Sequence, residues 1–261
     1  MAVPPVTDKP PYVRSAALGD VPHGFFGRRG GVSTGELASL NTGLGSGDDP
    51  LLIARNRAAV RDAVLPSAAL LGVYQVHGTN CVVADGAWDD ADRPEADALV
   101  TDQRHILLGI LTADCVPVLF ADRLAGVVGA AHAGWKGALG GVTNSTIIAM
   151  ERLGAERARI VAAIGPCIGR ASYEVDDNFR DRFRESDGAN DRFFVDGRTG
   201  HAMFDIGGYV AARLAAAGIG RVDMIDHDTC AREDEYFSYR RATLRGQNSY
   251  GRQLSVIGVG R

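Results

Sequence analysis

The chain has 261 residues, 46% of them hydrophobic and 23% charged, with a formal net charge of −4. That length and apolar content suffice to bury one large core, and an acidic balance without a Lys/Arg cluster argues against a nucleic-acid partner. The proline-broken N-terminus lacks the apolar stretch of an export signal, and no apolar run reaches membrane-spanning length, so a cytoplasmic protein with no membrane partner is expected.

In chain order, residues 1–20 read as a flexible lead-in and residues 21–261 as one catalytic domain. The segment "HGFFGRRGGVSTGELASLNTGLGSGDDP" (residues 23–50) is dense in Gly, Ser, Asn and Asp and reads as loop. Asp48-Asp49-Pro50 then opens a helix through "LLIARNRAAVRDAVL". "ALLGVYQVHG" and "NCVVAD" are strand-like, a polar connection follows, and "HILLGIL" is an apolar strand. "TADCVPVLFADRLAGVVGAAHAGWKG" (residues 112–137) reads as a hairpin of Val116 to Ala121 and Gly126 to Ala131 around "DRLA". A helix is expected from Gly137 to a stop at Gly154, then a strand in "RIVAAIGPCIG". Helices in "VDDNFRDRFRES" and "FDIGGYVAARLAAAG" precede closing strands in "RVDMID" and "RQLSVIGVG". This irregular alternation predicts a mixed α/β fold with antiparallel pairing, and no G-x-G-x-x-G follows a strand to suggest a dinucleotide site. The four cysteines, none in a C-x-x-C pair, are read as reduced thiols.

The hairpin carries the chemistry. With the turn at residues 122–125, Ala121 faces Gly126 and Cys115 lies directly opposite His132, side chains on one face. One small ion can then take a thiolate and an imidazole together. His77 ends the apolar run "LLGVYQV" before Gly78, much as His132 stands before "AG", and is the third candidate ligand. A Cys/His₂ set leaves a fourth tetrahedral position for water or substrate. The same residues admit a metal-free alternative with Cys115 as nucleophile, His132 as base and Asp114 orienting the imidazole. Asp114 and Glu174 are the carboxylates considered as general acid/base. For an anion, Lys136 lies between glycines at a helix start, Arg57 can point back into the Gly-rich loop that holds Asn41, and Arg241 belongs to an aromatic–arginine stretch at residues 235–253.

The ordered motifs "HGFFGRRGGVS", "SLNTG", "QVHGT", "TADCVPVLFAD", "AHAGWKG", "GPCIG" and "FSYRR" resemble the YfiH-like family, also called the laccase-domain, multicopper polyphenol oxidase or peptidoglycan editing factor family. The resemblance spans residues 23–259. It implies a single domain of α/β/β/α layers with mixed and antiparallel sheets, and a metal site on His77, Cys115 and His132. It further implies a zinc-dependent enzyme that phosphorolyses adenosine, inosine, guanosine and methylthioadenosine and deaminates adenosine in the same site, with purine nucleosides and phosphate as its partners. Three positions depart from the family pattern: Lys136 stands for an arginine, Gly45 for a frequent histidine, and a terminal Cys-Thr motif reads Asp228-Thr229-Cys230. Six histidines are too few for a blue-copper centre plus a trinuclear cluster, although a single His₂Cys site would also take copper. A Cys–His hydrolase or a peptidoglycan-precursor editing factor is the alternative function.

Overall fold

A computed structural model of the chain describes residues 9–260. Along it, β1 (Tyr12–Val13) and β2 (His23–Phe26) precede α1 (Pro50–Val64). Then come β3 (Ala69–Leu71), β4 (Cys81–Val83), β5 (Ala98–Thr101), β6 (Ile106–Thr112), β7 (Val116–Asp122) and β8 (Val127–Ala133). The helices α2 (Trp135–Gly140) and α3 (Val142–Arg152) lead to β9 (Val161–Ile164), β10 (Glu174–Asp176) and α4 (Asp177–Ser186). The chain closes with β11 (Phe194–Asp196), β12 (His201–Phe204), α5 (Ile206–Ala216), β13 (Arg221–Met224), α6 (Tyr239–Leu244) and β14 (Gln253–Gly258).

Two large sheets stack face to face. One has the order β1-β2-β14-β6-β3, the other β13-β9-β7-β8-β5-β4, and a small third sheet β10-β12-β11 stands apart. Side chains alternate between layers as the period of two requires. On β6, Ile106, Leu108 and Ile110 point at Leu99, Leu119 and Val128 of the facing sheet, while Leu107 packs with Val60 of α1. The outer face of the six-stranded sheet buries Val118 and Phe120 against Ile147 of α3 and Leu214 of α5. The result is the α/β/β/α layering that the family resemblance implied.

The structure corrects several local expectations. Residues 1–8 of the expected lead-in lie outside the described residues, but from Tyr12 the segment is built into the fold: Tyr12 pairs with Phe26, and Leu18 is fully buried. Residues 23–26, read as loop, form a fully buried strand held between β1 and β14. "ALLGVYQVHG" is strand only over its first three residues. The helix expected from Gly137 is two helices, broken where Gly141 adopts φ 100°. The small third sheet was not foreseen, and neither was α6 inside the aromatic–arginine stretch.

The hairpin register also differs. Asp122 pairs with Val127 and Pro117 with His132, so the turn spans residues 123–126. Asp122 Oδ1 accepts the backbone N–H groups of Leu124 and Ala125 at 3.1 and 3.2 Å, and Gly126 takes φ 67°. This Asx-type turn with a left-handed glycine keeps Asp122 in the strand and moves the pairing by two residues. A shift of one would have sent Cys115 and His132 to opposite faces; a shift of two leaves them on the same face, as diagonal neighbours.

Candidate metal centre and active-site cavity

The site forms where the chain crosses between the two stacked sheets. Residues 72–80 pass from β3 to β4 and carry His77; residues 113–115 pass from β6 to β7 and carry Cys115. His132 comes from β8. Both crossings use a backbone conformation that side-chain-bearing residues avoid, with His77 at φ 60° and Asp114 at φ 87°. Ser67 is the third non-glycine residue with positive φ among those described.

One ligand atom from each of His77, Cys115 and His132 lies within 4.8 Å of the other two. The two imidazoles meet edge to face with centroids 4.8 Å apart. In the observed register the position facing Cys115 belongs to Gly134. A Cβ built there would lie 2.8 Å from His77 Cδ2, 3.3 Å from Cys115 Sγ and 3.5 Å from His132 Cε1, touching all three side chains. The missing side chain therefore leaves the space into which the three donors converge. A His₂Cys set with such a cradle suits a borderline-soft ion, so these residues could hold a metal.

Asp97, which the sequence reading missed, organises the centre. It is fully buried, and its Oδ1 is 2.7 Å from His132 Nδ1. The same carboxylate accepts the backbone N–H groups of Val76, His77 and Gly78 at 3.2, 3.0 and 2.6 Å. Burial pushes its pKa up, but the bonds from His132 and from those backbone groups outweigh burial and hold it below the usual value. An ionised carboxylate only accepts, so Nδ1 of His132 carries a proton and Nε2 is left for a ligand. One side chain thus fixes both the His132 ring and the loop that presents His77.

Cys115 and His132 form a thiolate–imidazolium pair. Burial opposes the thiolate, yet the His132 charge and hydrogen bonds from both histidines lower Cys115 to about 6. Burial also opposes the imidazolium, and the Cys115 thiolate with Asp97 raises His132 to about 9. By contrast, burial drives Cys81 up to about 12 and leaves it an inert thiol.

The three donors open into a cavity of about 590 Å³, a size suited to a small-molecule ligand. Tyr74, Tyr239 and Tyr250 line it, together with Arg93 and Arg252, and no lining residue is Asp or Glu. Asp114 is not part of this wall. Its carboxylate accepts from Thr229 Oγ1 at 2.7 Å, Ser238 Oγ at 2.9 Å and the Arg240 backbone N–H at 2.7 Å, which ties down the segment leading into α6. The orienting bond to His132 expected of Asp114 is made by Asp97, because the left-handed turn at residue 114 aims its side chain the other way.

The four residues expected at an anion do not line the cavity either. Arg57, nearly buried, is paired with Asp90 at 3.2 Å. Lys136 is exposed, with Nζ 5.6 Å from the Trp135 ring centre. Arg241 spends its guanidinium on the carbonyls of Thr229, Cys230 and Tyr236. Asn41 donates to Ser46 and Asp48 and accepts from Gly43 and Arg252, so it shapes the Gly-rich loop. Glu174 pairs with Arg198 on the small sheet.

A two-sheet α/β/β/α sandwich with a His₂Cys cluster at its crossover end defines a class of candidate metalloenzyme. The family described as multi-copper polyphenol oxidoreductase laccase matches residues 22–260. The chain belongs to this YfiH-like family. It is 43% identical over 255 residues to a protein of Deinococcus radiodurans named purine nucleoside phosphorylase, covering 96% of this chain and 94% of the relative. It is 42% identical over 226 residues to purine nucleoside phosphorylase ORF3 of Streptomyces griseus, covering 85% and 90%. The crystal structure of Neisseria meningitidis protein NMB0706 superposes with a TM-score of 0.87 at 33% identity, covering 97% of this chain and all of that one. Among the described residues no helix is long and apolar enough to cross a membrane.

Proposed function

We propose that the cavity is the active site of a zinc-dependent purine nucleoside phosphorylase. One observation carries the reading: a single cavity joins a His₂Cys donor set, aromatic faces and two arginines without any carboxylate on its wall. The name of the relatives, purine nucleoside phosphorylase, agrees with that inventory. Tyr74 and Tyr239 are 55% and 54% exposed, and Tyr250 lies 5.1 Å from Tyr239 between ring centres, so flat faces are available for a purine. The arginines offer charge for phosphate.

In the reaction a phosphate oxygen bonds to C1′ of the ribose as the bond from C1′ to the base nitrogen breaks. The electron pair leaves with the purine, which takes a proton from the phosphate, giving ribose 1-phosphate. A zinc ion on His77, Cys115 and His132 would supply Lewis acidity towards substrate oxygens. The chain itself holds the base between aromatic faces, holds the phosphate by its arginines, and keeps the proton of His132 on Nδ1, donated to Asp97. Adenosine, inosine, guanosine and methylthioadenosine are the proposed substrates. Deamination of adenosine is the second proposed activity in this cavity; the carboxylate in contact with a lining residue there is Asp97, behind His132, which makes phosphorolysis the principal reaction.

The Cys115–His132–Asp97 alignment favours one other reading, a thiol hydrolase acting without metal, on peptidoglycan precursors in an editing role. Chromatography of adenosine and inosine digests, with and without phosphate and beside metal analysis of the same protein, separates the two. Phosphate-dependent base release with about one zinc per chain supports the phosphorylase, and His77→Ala should then lose both metal and activity. A thiol hydrolase would keep turnover in His77→Ala and release no base from nucleosides. Copper at stoichiometric level with matching phenol oxidation would instead support a copper-dependent polyphenol oxidase, the less favoured function.

A further inference from the structure

Among the described residues, three buried side-chain polar atoms have no hydrogen-bond partner: Thr112 Oγ1, Thr143 Oγ1 and Arg252 Nη1. Buried polar groups are nearly always paired, so an orphan calls for an explanation. Thr143 lies on α3, away from the cavity lining. The other two both belong to residues that line the cavity. They are also neighbours in the sheet: Thr112, the last residue of β6, pairs with Gln253, the first residue of β14, and Arg252 directly precedes it. Thr112 is three residues from Cys115, so the orphaned hydroxyl and guanidinium stand at the same crossover end as the metal donors.

Arg252 is held in place rather than free to wander. Its backbone N–H donates to Asn41 Oδ1 at 3.0 Å, and its carbonyl accepts from Thr42 N and Thr42 Oγ1 at 3.0 and 2.8 Å. Its guanidinium lies 4.7 Å from the Tyr250 ring centre, with Nη2 donating to the Tyr250 hydroxyl at 3.1 Å. Gly43 passes so close that a Cβ there would sit 3.1 Å from Arg252 Cβ. Arg93 adds a second cation to the lining, its Nε engaged by the Asp90 carbonyl at 2.6 Å. In a chain with 32 acidic residues and a net charge of −4, none of the described carboxylates lines this wall, while two arginines do. Such a wall favours a tetrahedral oxyanion, which accepts from both an N–H and a hydroxyl.

We infer that Arg252 and Thr112 form the phosphate subsite of this cavity, with Arg93 contributing charge. The inference rests on the phosphorylase reading and deepens it, by assigning the anion to residues other than Asn41, Arg57, Lys136 and Arg241. Phosphate bound there is held beside the Cys115–His132 end, with the tyrosine faces left for the nucleoside.

The test uses zinc-loaded wild-type protein, Arg252→Gln, Arg252→Lys and Thr112→Val, each checked for zinc content and melting temperature. The expected result is a KM for inorganic phosphate raised about tenfold or more in Arg252→Gln and severalfold in Thr112→Val, with the KM for inosine within twofold. Arg252→Lys should recover part of the loss. If Arg252→Gln fails to fold, Thr112→Val, a near-isosteric change, decides alone. Calorimetric titration with inorganic phosphate and with adenosine 5′-monophosphate runs in parallel. Wild-type phosphorolysis with unchanged phosphate KM in the variants overturns the subsite and leaves the phosphorylase standing. Arg252-dependent phosphate binding without any base release keeps the subsite and overturns the phosphorylase. Arg252-dependent binding of the nucleotide alone shows a phosphomonoester site and overturns the assignment to free phosphate, as does the absence of binding by both probes.

Discussion

At residue 134 a hydrogen in place of a methyl group keeps the centre open. Gly134→Ala should lower zinc affinity about tenfold or more, as perturbed ligand shells do, in competition with a chromophoric chelator. Unchanged affinity would mean that the metal binds elsewhere. Asp97 was not legible in the sequence, since nothing marks one acid among 32 as the partner of a histidine 35 residues away. The local signal is an acidic residue directly before the apolar strand "ALVT", which by itself names no partner. The Cys115–His132 pair makes a prediction about protons. Burial opposes both charges, but each partner stabilises the other, lowering Cys115 and raising His132, so metal-free protein at neutral pH favours thiolate and imidazolium. Zinc binds the thiolate and a neutral imidazole, so at neutral pH its binding should release about one proton from this pair, and the release should fall away as pH rises through the raised His132 value. Calorimetry in buffers of different ionisation enthalpy measures this, and a pH-independent release would refute the pairing.

Among the elements, the hairpin β7–β8 shows how a turn sets chemistry in a sheet. Alternation alone allows any register that keeps apolar residues buried, and both strands are buried on both faces; only the turn decides. Asp122 is the decisive residue: besides the turn amides, it accepts from Glu156 N at 2.8 Å and from Arg159 Nε at 3.1 Å. Burial raises its pKa, but those hydrogen bonds and the Arg159 charge bring it below the ordinary carboxylate value. Asp122→Ala should cost about 2–3 kcal/mol at neutral pH, because several donors lose a buried acceptor. A depressed folded-state pKa gives stability that is full above the unfolded value and is lost as pH falls through the folded one. The gap between wild type and variant should therefore shrink below about pH 4 in denaturant titrations. A gap that widens in acid would contradict the assignment. The helix α1 was legible because its signals are local: Asp49 caps Leu51 N and Pro50 sits at the first turn. The strand β2 was not, since "HGFF" is strand only by virtue of the partners on its two sides.

For the molecule as a whole, the three donors converge from segments that belong to or join the two stacked sheets. His77 lies on one crossing between the sheets, Cys115 on another, and His132 within the six-stranded sheet. Ligands that bind only the folded state stabilise it by mass action, about 2.7 kcal/mol at one hundred times the dissociation constant. Zinc at that excess should raise the melting temperature by about 5–10 °C over chelator-treated protein, and His77→Ala should abolish most of the rise. An equal shift in both proteins would place the stabilising metal outside the three donors.

The sequence by itself determined the mixed α/β character, the main apolar strands and helices, and the His77, Cys115 and His132 trio with its family. These depend on periodicity, local caps and short motifs, which a chain carries regardless of its neighbours. Only the tertiary structure decided the hairpin register, the role of Asp97, the turning of Asp114 away from the histidines, and the identity of the cavity wall. Those features depend on which distant segments meet. Asp97 meets His132, and Thr112 comes to lie beside Arg252, through sheet pairing across 35 and 140 residues, and a long-range contact of that kind leaves no periodic trace in the chain.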